Sequence, residues 1–315
     1  MINASGIVTV TLNPALDKTV TVESFELGAL NRIRDMRTDA GGKGINVAKV
    51  LKRFGVDAEA LGLAAGMQGR TLTEMLRRSG IPYRFVEADQ GETRTNLKIV
   101  DESTNRTTEL NEPGFEATPA LLNDFLRQFE ASAGEAAIVV IGGSLPPGAP
   151  SDFYRSLIQI ANDRGAKVIL DADGEALRSG IEAQPYALKP NIHELERLFG
   201  ERYDDANRLR AAAATLLRGS TRCVLVSMGE QGSLLLHEDD AYLAKPFPIT
   251  PASTVGAGDS MVAAMAYSFL RGHSSEELAR WTSAAGTITA SKPGTDVCTL
   301  EEVRERLADV DITKL

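Results

Sequence analysis

The chain has 315 residues, 43% of them hydrophobic and 24% charged, which bounds it to one large α/β domain or two smaller ones around a full core. Lys and Arg number 34 against 43 Asp and Glu, a formal charge of −9 that excludes broad binding to nucleic acid or an anionic membrane and leaves room only for a local basic pocket. The two cysteines, Cys223 and Cys298, form no CxxC pair and the three histidines are scattered, so a zinc framework is excluded and a reducing compartment fits. The opening MINASGIVTVTL has no basic region ahead of a long apolar core, and no run reaches membrane-spanning length. The expectation is a cytoplasmic protein with no membrane partner.

Gly6 to Leu12 is rich in β-branched residues and predicts a buried first strand, ending at Asn13-Pro14. Asp17 is then expected in a loop at the carboxyl edge of the sheet, where open α/β sheets place ligands; it either meets ligand hydroxyls or ends a turn. Residues 18–39 alternate polar and apolar without helical period and predict short antiparallel strands outside the main sheet. Gly41-Gly42-Lys43-Gly44-Ile45-Asn46 runs into an amphipathic helix closed by Gly55. This is a glycine-rich helix entry but no Walker A loop, because no Ser or Thr follows Lys43. A lysine beside exposed N–H groups suits a phosphate; the alternative is a glycine turn with a solvated lysine. Residues 93–100 and 106–110 predict a hairpin around 101–105, building a small β lid together with 18–39. Arg94 on it either reaches down to a phosphate or faces solvent.

From residue 119 onward strands and helices alternate. Helix 119–132 precedes AIVVIGGSLPPG, helix 151–164 precedes AKVILDAD, and YALKPN leads into a helix that starts at Asn191. Asn191 and Glu194 stand at i and i+3, where they either close a capping box or hold the water shell of a magnesium ion. A helix over 204–217, two strands in CVLVSMGEQGSLLL and a strand in DDAYLAKPF follow, then helices 257–271, 274–290 and 299–309. The pattern predicts a doubly wound, mostly parallel sheet with helices on both faces, in one domain over 1–315. The lid is inserted from about 18–39 and 92–111.

Ser253-Thr254-Val255-Gly256-Ala257-Gly258-Asp259-Ser260 enters the apolar run MVAAMAYSFL, so Gly256 to Asp259 fall where a helix begins. Unpaired N–H groups and a partial positive charge there bind anions, and glycine lets the backbone approach closely. A carboxylate at Asp259 repels a phosphate, which makes sense if it takes the proton from an alcohol that attacks the phosphoryl group. Otherwise Asp259 is only an N-cap.

Taken together, GGKGINVAKVLKRFG at 41–55, GSLPPG at 143–148, KPNIHEL at 189–195, VSMGEQG at 226–232 and STVGAGDS at 253–260 resemble the ribokinase-like (PfkB) carbohydrate kinases over nearly the whole chain. TLNPALD at 11–17, the lysine of GGKGIN and TRTN at 93–96 are most similar to the branch of that family acting on phosphosugars. The resemblance implies ATP-dependent phosphorylation of a ketohexose monophosphate, with fructose 1-phosphate placed first and tagatose 6-phosphate second. It implies Asp259 as the base and the N–H groups of Gly256, Ala257 and Gly258 as an anion hole. By the same resemblance Asp17, Gly42 and Asn46 bind the sugar, while Lys43, Arg94 and Ser144 hold its phosphate. Asn191 and Glu194 organise Mg²⁺ on the ATP phosphates through water, and Ser227, Gly229 and Gly232 line the nucleotide side. It further implies a homodimer paired through the lid. A monovalent cation has its place near Ser253, Val255 and the Lys292-Pro293-Gly294 turn, where the lysine either replaces the cation or points away.

Two other readings compete. A nucleoside or hexose kinase of the same fold is disfavoured by Lys43 and Arg94, and a non-catalytic sugar-phosphate sensor by Asp259 and the Asn191/Glu194 pair. A dinucleotide-binding enzyme is disfavoured because no G-x-G-x-x-G follows the first strand.

Overall fold

The computed structural model describes residues 6–104 and 106–315. In chain order the elements are β1 (Gly6–Thr11), β2 (Ala15–Val22), β3 (Ile33–Gly41), α1 (Lys43–Arg53), β4 (Ala58–Ala65), α2 (Gly66–Arg78), β5 (Tyr83–Ala88), β6 (Arg94–Asp101) and β7 (Arg106–Asn111). They continue with α3 (Pro119–Ala133), β8 (Ala136–Gly142), α4 (Phe153–Asp163), β9 (Lys167–Asp171), α5 (Gly174–Glu182), β10 (Ala187–Leu188), α6 (Ile192–Phe199) and α7 (Ala206–Ala214). Last come β11 (Cys223–Ser227), β12 (Ser233–His237), β13 (Asp240–Lys245), α8 (Ala257–Arg271), α9 (Ser275–Ala290), α10 (Leu300–Arg306) and β14 (Asp311–Lys314).

Ten strands form one sheet in the order β14-β13-β12-β11-β10-β9-β8-β1-β4-β5. From β11 to β5 neighbouring strands run parallel; β12, β13 and β14 add an antiparallel edge. Parallel strands buried on both faces read as unbroken apolar runs, and their alternate side chains enter two different layers. Ile138 and Val140 of β8 pack with α1, α8 and α9, whereas Val139 and Ile141 pack with α3, α4 and α5. The mostly parallel sheet flanked by helices therefore matches the expected fold class.

β1 lies between β4 and β8. After β1 the chain winds toward β5, then returns to β8 on the other side, so strand order reverses between β1 and β8. Such a reversal opens a crevice at the carboxyl ends of the strands. Here it lies between Asn13 and Ser144, which meet across it at 3.3 Å.

The second sheet has the order β3-β2-β6-β7. Its antiparallel pairs β2–β3 and β6–β7 match the expected strands, and the central pair β2–β6 is parallel. Asn105, in the expected hairpin turn, lies outside the described residues, as do residues 1–5 of the opening stretch. Asp17 departs from expectation: it is a strand residue of β2, not a loop residue, because pairing with both β3 and β6 extends the strand back to Ala15. The end of β3 is tied to the loop before α10 by Thr295 Oγ1 donating to Asp39 Oδ2 at 2.7 Å and by the Arg37–Asp296 pair at 3.3 Å.

Strands β5 and β14 were not foreseen. YRFVEA and DITK are edge strands, mostly exposed or half-buried, with too few apolar residues to announce themselves. The last helix is also shorter than expected, with a single 3₁₀ turn over Leu307–Asp309.

Candidate active site

The two glycine-rich helix entries lie side by side in the same helical layer, and they differ. At α8, Gly256 takes the left-handed conformation (φ 77°), available to it without a Cβ clash, and no side chain caps the helix. Among the described residues the N–H groups of Gly256 and Gly258 have no partner, and that of Ala257 leans on Thr254 O at 3.4 Å. Asp259 is not the cap. Its Oδ2 accepts from Asn46 Nδ2 of α1 at 2.8 Å. At α1, by contrast, Ile45 N–H is taken by Thr11 Oγ1 at 3.0 Å, and a Cβ on Gly44 would stand 2.5 Å from Val10 O. This helix is pressed onto the end of β1, and its first turn is less open to an anion than the sequence suggests.

The Lys43 side chain is half-buried and its ammonium is paired. Its Nζ donates to Asp171 Oδ1 at 2.9 Å, and Lys189 Nζ reaches the same oxygen at 3.4 Å. Lys189 also lies under the α8 entry, 3.5 Å from where a Cβ of Gly258 would stand. Burial works against the Lys43 ammonium, but the charge and hydrogen bond of Asp171, with help from Asp259 and Glu194, raise its pKa. Burial likewise disfavours ionised Asp171, yet Lys189 and Lys43 together hold its pKa below the ordinary value. For Asp259 the balance falls the other way. Burial and the nearby Asp171 charge push its pKa up, against Lys43, Asn46 and Lys189. A carboxylate raised toward the working pH is a better proton acceptor than an ordinary one.

Arg94, on β6, bridges the residues that bound the crevice. Its guanidinium donates to Asn13 O through Nε and Nη2 at 3.2 and 3.0 Å, to Glu112 O at 3.1 Å and to Ser144 Oγ at 3.4 Å. Among the described residues it forms no ion pair, so a half-buried cation is held by neutral acceptors beside the Gly142–Ser144 loop. The Tyr154 hydroxyl supports that loop by donating to Gly142 O and Gly143 O. Asp17 is 6% exposed and bonded through Oδ1 to Asn96 Nδ2 at 3.0 Å and through Oδ2 to Lys98 Nζ at 3.3 Å. Gly42, in the backbone-specific region (φ 124°), caps α1 where a Cβ would stand 2.4 Å from Thr11 Cγ2.

Asn191 and Glu194 close a full capping box on α6: Asn191 Oδ1 accepts from Glu194 N–H and Glu194 Oε2 from Asn191 N–H, both at 2.8 Å. Among the described residues, Asn191 Nδ2 and Glu194 Oε1 have no partner. Among the described residues no three His, Cys, Asp or Glu side chains form a metal cage. A magnesium ion that keeps its waters and rests mainly on nucleotide phosphates needs none, and the Glu194 carboxylate oxygen left over from the capping box fits such an outer role.

Ser227, Gly229 and Gly232 line a cleft of about 760 Å³ with Phe247, Ile249 and Met261, and Ala257 and Gly258 open into it. Its size and mixed lining suit a nucleotide. Lys292 pairs with Glu302 at 2.6 Å. Sequence reasoning missed Asp171, Lys189, Asn13 and Lys98. The first two end short apolar strands at the carboxyl edge of a parallel sheet, a position that is itself a signal.

The chain belongs to the pfkB family of carbohydrate kinases, whose pattern matches residues 10–302. It is 37% identical over 310 residues to a 1-phosphofructokinase of Xanthomonas campestris, covering 97% of each chain. It is 40% identical over 283 residues to a 1-phosphofructokinase of Rhodobacter capsulatus, covering 88% of each. Among solved structures, phosphofructokinase-2 of Escherichia coli in complex with potassium superimposes with a TM-score of 0.92 at 32% identity, covering 97% of this chain and 99% of that one.

Proposed function

We propose that the protein is an ATP-dependent phosphosugar kinase that converts fructose 1-phosphate into fructose 1,6-bisphosphate. The observation that carries this reading is Arg94: a half-buried guanidinium without an acidic partner among the described residues, held by Asn13 O and Ser144 Oγ where the crevice opens. A cation so placed binds a fixed anion on the substrate, while Asp259 serves a hydroxyl. The likeness to 1-phosphofructokinases over almost the full chain supports the same substrate.

In this reading Arg94 and Ser144 hold the sugar's 1-phosphate, and Asp17, Gly42 and Asn46 the sugar hydroxyls. Asp259 accepts the proton of the 6-hydroxyl as that oxygen attacks the γ-phosphorus of ATP, and ADP leaves. The N–H groups of Gly256, Ala257 and Gly258 face the charge that develops on the transferred group. Lys43, whose ammonium points to Asp171 rather than to Arg94, stands between the two phosphates and serves the transferred one as much as the fixed one. Ser227, Gly229 and Gly232 border the nucleotide. Magnesium, bound with ATP, neutralises phosphate charge, and Asn191 and Glu194 would orient its waters. A monovalent cation beside Ser253 and Val255 meets no competing ammonium, because Lys292 is engaged with Glu302.

A homodimer through the lid is part of the proposal. The small sheet exposes Ile33 (55%) and Met36 (59%) on β3 and Leu110 (56%) on β7, apolar residues a partner would cover.

The test is ATP turnover with Mg²⁺ on fructose 1-phosphate, tagatose 6-phosphate, fructose 6-phosphate and fructose. Preference for fructose 1-phosphate is expected. Preference for tagatose 6-phosphate would keep the mechanism and replace the substrate; activity only on fructose would overturn the role of Arg94, and silence on all four would leave a sensor.

A further inference from the structure

Arg94, Asn96 and Lys98 occupy alternate positions of β6 and therefore share one face of the strand. Asp17 stands directly opposite Asn96 in the parallel β2–β6 register. The Asp17 and Lys98 side chains are each only 8% exposed, and among the described residues Asp17 is the one hydrogen-bond acceptor of the Lys98 ammonium. Lysine ordinarily buries its stem and keeps its ammonium in water. As a pair, a buried lysine and aspartate joined by a single 3.3 Å bond are a poor stabiliser, and apolar residues replacing both would pack there at least as well; removing Lys98 alone leaves the Asp17 charge buried.

The consequence of the pair is electrostatic. Asp17 lies close enough to Arg94 for its charge to act on the guanidinium, so without compensation it would weaken the field meant for a bound phosphate and repel a dianion. Lys98 cancels that charge from the far side and, with Asn96, fixes both carboxylate oxygens.

We propose that Lys98 is a positioning residue for the phosphosugar: it neutralises and orients Asp17, so that Asp17 accepts sugar hydroxyls without opposing the phosphate held at Arg94. The inference rests on the functional reading above, with Asp17 and Arg94 on the sugar side. Its test compares wild type with K98M, K98R, D17N and the double variant D17N/K98M, as full chains, by steady-state kinetics with fructose 1-phosphate and ATP varied separately.

K98M is expected to raise KM for fructose 1-phosphate about 10- to 100-fold while KM for ATP moves less than about twofold, the split expected when a coupled contact is lost on one side only. K98R recovers most of the loss. In the D17N background K98M adds less than about twofold, because the charge it compensates has gone. Equal losses from K98M in both backgrounds, or equal effects on the two substrates, would assign Lys98 a merely structural role and overturn the proposal. Should K98M fail to fold, K98Q makes the same comparison. A wild type active on fructose 1-phosphate with no K98M effect removes this inference alone; a wild type silent on it removes the functional reading and this inference together.

Discussion

Gly41→Ala is the most selective perturbation of the sugar side. Gly41 has no left-handed φ, so alanine meets no backbone strain there. Its Cβ, however, would stand 2.6 Å from Cγ and Oδ2 of Asp17 and 2.8 Å from Oδ1. Ordinary contact begins near 3.4 Å, so the carboxylate must retreat by roughly 0.8 Å. Toward β6 that retreat is blocked by the Asn96 amide at 3.0 Å and the Lys98 ammonium at 3.3 Å. The remaining course is a rotamer change that breaks one or both bonds. Overpacking of this kind costs about 1–3 kcal/mol, which lowers Tm by a few degrees. Displacing a binding group by about 1 Å costs up to about 100-fold in efficiency. Gly41→Ala should therefore raise KM for fructose 1-phosphate by roughly 10- to 100-fold in a coupled ADP-release assay, with KM for ATP within about twofold. A folded variant with unchanged sugar KM would refute the placement of Asp17 at the sugar.

Asp259→Asn keeps the bond geometry to Asn46 but removes the proton acceptor, so turnover should fall by at least about 10²–10⁴ while ATP still binds; retained rate would exclude it as the base. Because its pKa is raised by burial and Asp171, ionised Asp259 destabilises the fold above that pKa and not below the ordinary value of 3.8. The same variant should thus raise Tm at pH 7, and a differential scanning calorimetry trace showing a fall would contradict the sign. Asp171→Asn leaves two ammonium groups on one neutral oxygen; the expected loss is about 3–5 kcal/mol in urea unfolding at pH 7, and a loss below about 1 kcal/mol would show that the lysines find other partners. Asp171's depressed pKa makes its own contribution present above pH 3.8 and lost as pH falls through the folded value. For the lid, Met36→Glu should convert a dimer to a monomer by light scattering at micromolar concentration; an unchanged mass would place any subunit contact elsewhere.

What the sequence made legible follows from how local each signal is. α8 was read to the residue, because Gly256 and the apolar run after it define its start without help from elsewhere. The parallel strands other than the edge strand β5 are legible from unbroken apolar runs, and the lid strands from alternation. Asp17 was misplaced into a loop because TLNPALD reads as a turn, whereas pairing with β6, some 80 residues away, extends it as a strand. Lys98 lacks any local mark, and although Asp171 stands at a strand's carboxyl edge, nothing local names its partner Lys43: the partners lie 81 and 128 residues distant, and only the topology brings them together. The Asn191/Glu194 spacing fitted two chemistries, and both capping bonds are made. Spacing on one helix face cannot decide between a cap and an outer-shell role, since one carboxylate has an oxygen for each.

The two helix entries divide the work by the kind of charge each can serve. At α8 the N–H groups of Gly256 and Gly258 have no partner among the described residues, and Ala257 and Gly258 line the cleft assigned to the nucleotide in the proposed function; fixed dipoles there suit a group whose charge changes during reaction, since they need no reorganisation. At α1 Thr11 takes the Ile45 N–H, so in the proposed function a permanent phosphate on the sugar is met by side chains, Arg94 above all. Asp171 joins the two halves: Lys43 rises from α1 and Lys189 from the end of β10, and both bond one of its oxygens. A phosphate entering from either side competes with Asp171 for a lysine and thereby alters the lysine left for the other. Binding of sugar phosphate and of ATP should consequently be coupled even when neither is consumed, and coupling free energies are reciprocal. With the Asp259→Asn enzyme, the factor by which ATP changes the affinity for fructose 1-phosphate in calorimetry should equal the factor measured in the reverse order. It should also shrink in Lys189→Met; a factor unaffected by Lys189 would locate the coupling outside this shared carboxylate.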